Sequence, residues 1–250
     1  MIQFDPAEFY RSGNYEKLNP SWDTEDSAWK ARLVVDILAR HRLQPKTVAE
    51  IGCGAGSVLS ELRTRLPRAE LHGWDIAPGA ARFWNLDSGI KFSQGDFLER
   101  QANHFDVLLL LDVVEHVANP HDFLSRLAPF GTHVVLHIPL DLSASSVLRE
   151  RPLLRQRRGV GHIHYFTRGL ALELLTECGY EILESTFSGA YLRPHATWGG
   201  KLAGLARRAV FALAHEGGVR LLGGDTLLVL AAPRKCAYGG SSIETNEAVR

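Results

Sequence analysis

The sequence predicts an α/β chain folded as a doubly wound, three-layer sandwich. Three observations lead there. Short apolar runs rich in β-branched residues alternate with helical patterns six times, and a hairpin-like pair closes the order. The run from His104 to Asp112 is almost continuously apolar, as a central parallel strand covered on both faces must be. Thr47 to Ile51 leads through Gly52, Gly54 and Gly56 into a helical stripe of Val58, Leu59, Leu62 and Leu66. A strand, a glycine loop and a helix N-terminus in succession make a cofactor cradle at the carboxyl end of a parallel strand.

Composition narrows the function classes. The 250 residues, 45% of them hydrophobic, suffice for one full-sized domain with appendages. Lys plus Arg and Asp plus Glu both total 28, so the formal charge is zero, which argues against bulk attraction to nucleic acid or membrane. Cys53, Cys178 and Cys236 are odd in number and widely spaced, with neither a disulfide framework nor metal-ligand spacing. They fit a reducing cytosol, and no metal is expected. Met1 to Tyr10 carries acids and a proline without a long apolar core, so no signal peptide is read there. The longest apolar stretches are too short to span a bilayer. The expectation is a cytoplasmic protein with no nucleic-acid or membrane partner, its oligomeric state open.

In chain order, residues 1–46 read as an N-terminal cap and helix. The aromatics Phe4, Phe9, Tyr10, Tyr15 and Trp22 suit either a segment packed on the domain or a cap over the cofactor. Glu25-Asp26-Ser27 starts a helix whose stripe of Trp29, Leu33, Ile37 and Leu38 runs to about Arg42. After the glycine loop and its helix, Glu70 to Asp75 is a second strand ending in an acid. A carboxylate at that tip can accept both hydroxyls of a ribose. Trp74 and Ile76 flank it, either against an adenine or against the sheet. Ile90 to Phe97 reads as a third strand followed by Gly95-Asp96-Phe97, and the fourth runs to Leu111-Asp112 and on into Val113-Val114-Glu115-His116-Val117. Pro120 suits the first turn of the next helix. Thr132 to Pro139 is a fifth strand, stopped by its proline.

The stretch 142–166 reads as an insertion. Its Arg149, Arg151, Arg155, Arg157 and Arg158 form either a solvated face or a clamp for an anionic acceptor. Gly161-His162-Ile163-His164 follows. Histidines two apart on an extended segment point to opposite faces, so these two do not share one metal. A helix from Thr167 to Cys178, closed by Gly179, precedes a sixth strand from Tyr180 to Phe187. A second insertion (188–223), helical around Val210 and Leu213 with glycine breaks at 217–218, leads to a seventh strand over Gly224 to Ala232. Residues 233–250 read as a disordered tail.

The segment Val48-Ala-Glu50-Ile-Gly52-Cys53-Gly54-Ala-Gly56 resembles the first motif of class I S-adenosylmethionine-dependent methyltransferases. The dinucleotide fingerprint would place a third glycine where Ser57 stands, which disfavours an NAD-type oxidoreductase, the first rival reading. A protein that binds the cofactor without turnover is the second. Asp75, Asp96 and the Asp112-Val-Val-Glu-His116-Val segment match the family's later motifs, and the opening Ser27-Ala-Trp29-Lys30-Ala resembles its small bacterial branch. The resemblance implies a seven-stranded, mostly parallel sheet whose last strand is antiparallel, forming a domain over 47–232. It further implies S-adenosyl-L-methionine as cofactor, bound by Glu50, Gly52, Cys53, Gly54, Gly56, Asp75, Ile76, Asp96, Phe97, Leu111, Asp112 and Trp29. The expected activity is methylation of a small molecule, most simply at a hydroxyl of a sugar, glycan precursor or secondary metabolite. A hydroxyl acceptor needs a base, and the ordinary histidine pKa of about 6.5 nominates His116, His162 and His164.

Overall fold

The computed structural model describes residues 5–100, 103–192 and 198–234. Its strands are β1 (Thr47–Ile51), β2 (Glu70–Asp75), β3 (Lys91–Gln94), β4 (Phe105–Leu111), β5 (Gly131–Pro139), β6 (Tyr180–Phe187) and β7 (Thr226–Pro233). They lie in the order β3-β2-β1-β4-β5-β7-β6. All run parallel except β7, which pairs antiparallel with β5 on one side and β6 on the other. The last strand in the chain is thus the antiparallel one, inserted second from the edge.

Ten α-helices among the described residues accompany the sheet: α1 (Pro6–Arg11), α2 (Asn14–Leu18), α3 (Ser27–Arg40), α4 (Ser57–Arg65), α5 (Phe97–Arg100), α6 (Pro120–Leu127), α7 (Ala144–Arg149), α8 (Arg151–Gly159), α9 (Arg168–Glu177) and α10 (Trp198–Leu222). Neighbouring residues on a strand point to opposite faces, and β4 shows both cores at once. Val107, Leu109 and Leu111 pack with Val34, Ile37 and Leu38 of α3 and Leu59 and Leu62 of α4. Leu108 and Leu110 pack instead with Leu124 and Leu127 of α6 and Leu174 and Leu175 of α9. Each fully buried leucine is worth about 1.5–3 kcal/mol. Two such layers readily outweigh the about 1–2 kcal/mol that a non-glycine residue costs in the left-handed region, where Asp112 lies at the end of β4 (φ 57°).

Helix ends follow local chemistry. Asn119 accepts from Asp122 N to cap α6 with Pro120 in its first turn, and Thr167 accepts from Leu170 N to cap α9. Two departures from the sequence expectation have a local cause. The first is α3, which stops at Arg40 because Arg42 takes a positive φ of 54°. The second is α10, whose backbone breaks at Ala214 (φ −153°, ψ 81°) and then runs helically through Gly217-Gly218 to Leu222. A Cβ on Gly218 would lie 2.5 Å from Phe211 Cδ1, so this glycine serves close packing and not a break. Leu213, expected on the apolar stripe, is exposed, while Phe211 is buried. Of the tail expected at 233–250, Pro233 instead ends β7 and Arg234 N donates to the Gly179 carbonyl at 2.8 Å, and the remainder lies outside the described residues. No helix among the described residues is long and apolar enough to cross a membrane.

Candidate active site

The carboxyl ends of β1, β2 and β4 open into a cavity of about 1020 Å³. Thirteen of the fifteen site residues expected from sequence line it: Trp29, Glu50, Gly52, Cys53, Gly54, Asp75, Ile76, Asp96, Phe97, Leu111, Asp112, His116 and His162. Gly56 and His164 do not. Gly56 (φ 73°) precedes α4, and a Cβ there would fall 2.6 Å from the Phe92 ring. His164 Nε2 bonds to the Val117 carbonyl at 2.9 Å.

Each acid at a strand end has its own setting. Asp75 accepts from Gly54 N and from Ala77 N, both at 2.8 Å, so it fixes the glycine loop to the end of β2. Burial raises its pKa, and those two backbone hydrogen bonds oppose the rise. Two of the roughly four lone-pair positions of a carboxylate remain available for another ligand. Glu50 is 3% exposed, and its Oε2 has no hydrogen-bond partner. Burial lifts its pKa to about 8 against the pull of Lys30. Asp96 accepts from Leu98 N at 2.8 Å, starting α5. The Phe97 ring turns into the core, at right angles to Trp74 with 5.1 Å between centroids. Trp74 itself stacks on His72, and both residues flanking Asp75, Trp74 and Ile76, border the cavity.

Asp112 anchors a half-buried network that sequence did not reveal. Lys30 Nζ meets its Oδ2 at 2.7 Å and His137 Nδ1 its Oδ1 at 2.6 Å, while His137 Nε2 reaches Thr226 Oγ1 at 2.7 Å. Burial alone would raise Asp112, but His137 and Lys30 outweigh it and hold the carboxyl well below its usual range. The same pairing keeps Lys30 above its ordinary value despite burial. Trp29 packs edge-on against His137, 5.4 Å between centroids.

The far wall carries the histidines. His116 Nδ1 meets the Tyr10 hydroxyl at 2.8 Å, and that hydroxyl donates to the Val160 carbonyl at 2.9 Å. Burial, and then the neighbouring His162, lower the His116 pKa to about 4. His162 Nδ1 lies 2.6 Å from Asp141 Oδ2. The segment bearing it is pinned by Ile163 N and His164 N, which donate to the Glu115 carbonyl at 2.9 and 3.1 Å. The two histidines of this segment do face different partners, as their spacing requires. None of Arg149, Arg151, Arg155, Arg157 and Arg158 lines the cavity, so no anion clamp is assembled there from the basic run. Cys53 and Cys178 are buried free thiols.

A family model described as Methyltransferase domain matches residues 25–185. The chain belongs to this family. Its members are class I methyltransferases that use S-adenosylmethionine, which sets aside the NAD-type oxidoreductase reading. Over 110 residues the chain is 36% identical to the ubiquinone biosynthesis O-methyltransferase of Ruegeria pomeroyi, covering 41% of each chain. Over 158 residues it is 29% identical to the trans-aconitate 2-methyltransferase of Streptomyces coelicolor, covering 56% of this chain and 52% of that one. The chain therefore spans about half, or less, of the length of these curated relatives. Among solved structures, the plantazolicin methyltransferase BpumL, in complex with a monoazolic desmethylPZN analog and SAH, superposes with a TM-score of 0.63 at 16% identity, covering 92% of this chain and 94% of that one. The N-methyltransferase NodS from Bradyrhizobium japonicum, in complex with SAH, gives a TM-score of 0.53 at 16% identity, covering 88% and 98%. At such identities the likeness is one of fold.

For a methyltransferase domain, the residues missed in sequence are those from outside the motifs. His137 left a signal, a lone histidine in the apolar run of β5. Asp141 left a weaker one, as an acid two residues past that strand. Tyr10 left only its place among the aromatics of the N-terminal segment, because its partners lie 106 and 150 residues away.

Proposed function

We propose that the chain is an S-adenosylmethionine-dependent methyltransferase that acts on a hydroxyl of a small molecule. The observation that carries this reading is the division of one cavity. Its glycine-loop side holds a buried carboxylate oxygen without a partner, Glu50 Oε2, and its opposite side holds two imidazoles. An orphaned buried acceptor is costly, and the ammonium of an amino-acid moiety is the kind of group that satisfies it. The residues therefore fit the cofactor. Asp75 would hold the ribose hydroxyls, Asp96 and Ile76 would border the adenine, and Gly52 to Gly54 would lie along the methionine part. Bound there, the cofactor supplies a methyl on a sulfonium, already a good leaving group, so the protein's task is alignment and activation of the acceptor.

Lys30, through Asp112, fixes the end of β4 beneath the loop, and Trp22 lies against Gly54. On the acceptor side, His116 is a weak base with its pKa near 4, and His164 is outside the cavity. His162, oriented by Asp141, is the group left to meet the acceptor oxygen. The relatives named for ubiquinone biosynthesis carry oxygen as the methylated atom in their name, which supports a hydroxyl acceptor. A sugar, a glycan precursor or a secondary metabolite suits the cavity's size. Its balanced charge and free thiols suit a cytoplasmic enzyme. The test is incubation with methyl-labelled cofactor and a panel of phenols, hydroxy acids and sugar nucleotides. Label recovered as an ether is the expected result. Tight S-adenosylhomocysteine binding with no turnover on any acceptor would favour a cofactor-binding protein without catalysis.

A further inference from the structure

Glu115, His116 and His162 converge behind the acceptor wall of the cavity. Glu115 is 1% exposed, and neither of its carboxylate oxygens has a hydrogen-bond partner. His116 Nε2 lies 3.8 Å and His162 Nε2 3.9 Å from Glu115 Oε1. Ligand atoms of the three residues all fall within 4.8 Å of one another. The other ring nitrogens are already committed. Because the Tyr10 hydroxyl donates to the Val160 carbonyl, its oxygen accepts from His116 Nδ1. His162 Nδ1 donates to Asp141. Each ring therefore sets its Nε2 close to a carboxylate to which no other side chain donates. A single proton on Glu115 could serve one imidazole and would leave the other facing an acceptor. One cation satisfies all three.

We infer that Glu115, His116 and His162 bind one divalent metal ion of the zinc type, with an open position turned to the cavity for the acceptor oxygen. Two imidazole nitrogens and one carboxylate oxygen are a donor set of catalytic zinc sites, which keep the fourth position free. Tetrahedral ligands at about 2.0–2.2 Å from the ion stand about 3.4 Å apart, so the 3.8 and 3.9 Å separations close by small side-chain rotations. Asp141 and Tyr10 orient the rings through their far nitrogens, the usual support for ligating histidines. Asp112 is excluded, being held by Lys30 and His137.

The inference rests on the methyl-transfer reading of the cavity. The ion lowers the pKa of a bound hydroxyl, whose proton passes to water. The oxygen then forms its bond to the methyl carbon as the carbon–sulfur bond breaks, and the electron pair goes to sulfur. His162 acts in this account as a ligand and not as the base.

The test strips the whole chain with a chelator and titrates it with Co²⁺ alone, read by its visible absorption, then with Zn²⁺ in competition. One ion per chain is expected. Glu115→Gln and His162→Ala should each weaken Co²⁺ binding by more than the about 10–100-fold expected of Asp141→Asn, which removes only a supporting partner. His164→Ala should leave Co²⁺ affinity unchanged. S-adenosylhomocysteine binding, measured on the same samples, identifies the variants that stay folded. Wild-type protein that binds S-adenosylhomocysteine yet takes up neither ion at millimolar concentration overturns the site, and that result decides even if no variant folds. Co²⁺ affinity that survives both Glu115→Gln and His162→Ala overturns it equally. An ion bound at these residues without methyl transfer to any hydroxyl would sink the activity reading and leave the site standing.

Discussion

Replacement of Asp75 by alanine is the sharpest probe of the cofactor half. The carboxylate has two tasks. It holds Gly54 N and Ala77 N at 2.8 Å each, and its remaining lone pairs would accept the two ribose hydroxyls. A hydrogen bond to a charged group is worth about 1.5–3 kcal/mol, so loss of both ribose bonds costs about 3–6 kcal/mol of binding. At about 1.4 kcal/mol per decade, S-adenosylhomocysteine affinity should fall about 10²–10⁴-fold. The same substitution releases the glycine loop, so the fall alone would not assign the ribose. A cycle with the 2′,3′-dideoxy analogue does. In wild-type protein the analogue should bind more weakly than S-adenosylhomocysteine by the full ribose contribution. In Asp75→Ala the two ligands should bind alike, the loop's loss being common to both. Calorimetry gives all four constants. Equal discrimination between the ligands in the two proteins would refute the assignment, however large the overall loss.

Three further outcomes are expected. Gly52→Ala should lower stability by about 1–2 kcal/mol for its left-handed backbone, plus the contact of the new Cβ 2.8 Å from Val113 Cγ2; Val113→Ala should recover the second part, and urea unfolding of the single and double variants measures both. Binding of S-adenosylhomocysteine at pH 7 should release about one proton, because Glu50, with a pKa near 8 in the free protein, must ionise to meet an ammonium. Affinity then rises from pH 6 to 8, while the cofactor-free protein loses Glu50's contribution to stability as pH rises from its unfolded value through 8. Binding heats independent of buffer ionisation enthalpy would remove Glu50 from the site. Lys30→Met and Asp112→Asn should couple by about 0.5–3 kcal/mol in a double-mutant cycle, and additive effects would show that the 2.7 Å contact is energetically idle. Asp112 is held below the ordinary carboxylate range, so its contribution is present in full above about pH 4 and is lost only in more acid solution.

The strand-end side of the cavity was legible because parallel strands do the assembling. Once β1, β2 and β4 are read as neighbouring parallel strands, their terminal residues Glu50, Asp75 and Leu111-Asp112 must share one rim, and each follows an apolar run that marks its own end. Gly56 lies off the cavity lining, and spacing cannot distinguish the packing need its glycine meets against Phe92 from a ligand contact. The acceptor half was only partly legible. Glu115 and His116 stand together in the chain, yet burial decides which matters, and a sequence does not show that the Glu115 carboxylate is buried with no side-chain donor. His162 and His164 could be told apart only as facing opposite sides, not as to which side faces the cavity. Lys30 and His137 meet at Asp112 from different elements, a convergence set by how α3 and β5 flank β4.

That difference follows from which segments build each wall. The loop side is made by strand ends whose positions the sheet dictates. The histidine side is made by segments outside the sheet, held by their own tethers. Tyr10 and Asn19 reach the Val160 and Gly159 carbonyls at 2.9 Å each, joining the N-terminal cap to the insertion after β5. Ile163 and His164 in turn fasten that insertion to the Glu115 carbonyl beyond β4. Cap, insertion and β4 rim therefore form one linked ring around the acceptor end. Rigid strands carrying a fixed cofactor site, with loops setting what reaches it, is how one fold serves many substrates. Changes in the cap or the 142–166 insertion can reshape the acceptor wall while Glu50, Asp75 and the glycine loop keep their geometry. Loosening the Tyr10 tether should therefore disturb His116 and the acceptor before it disturbs the cofactor.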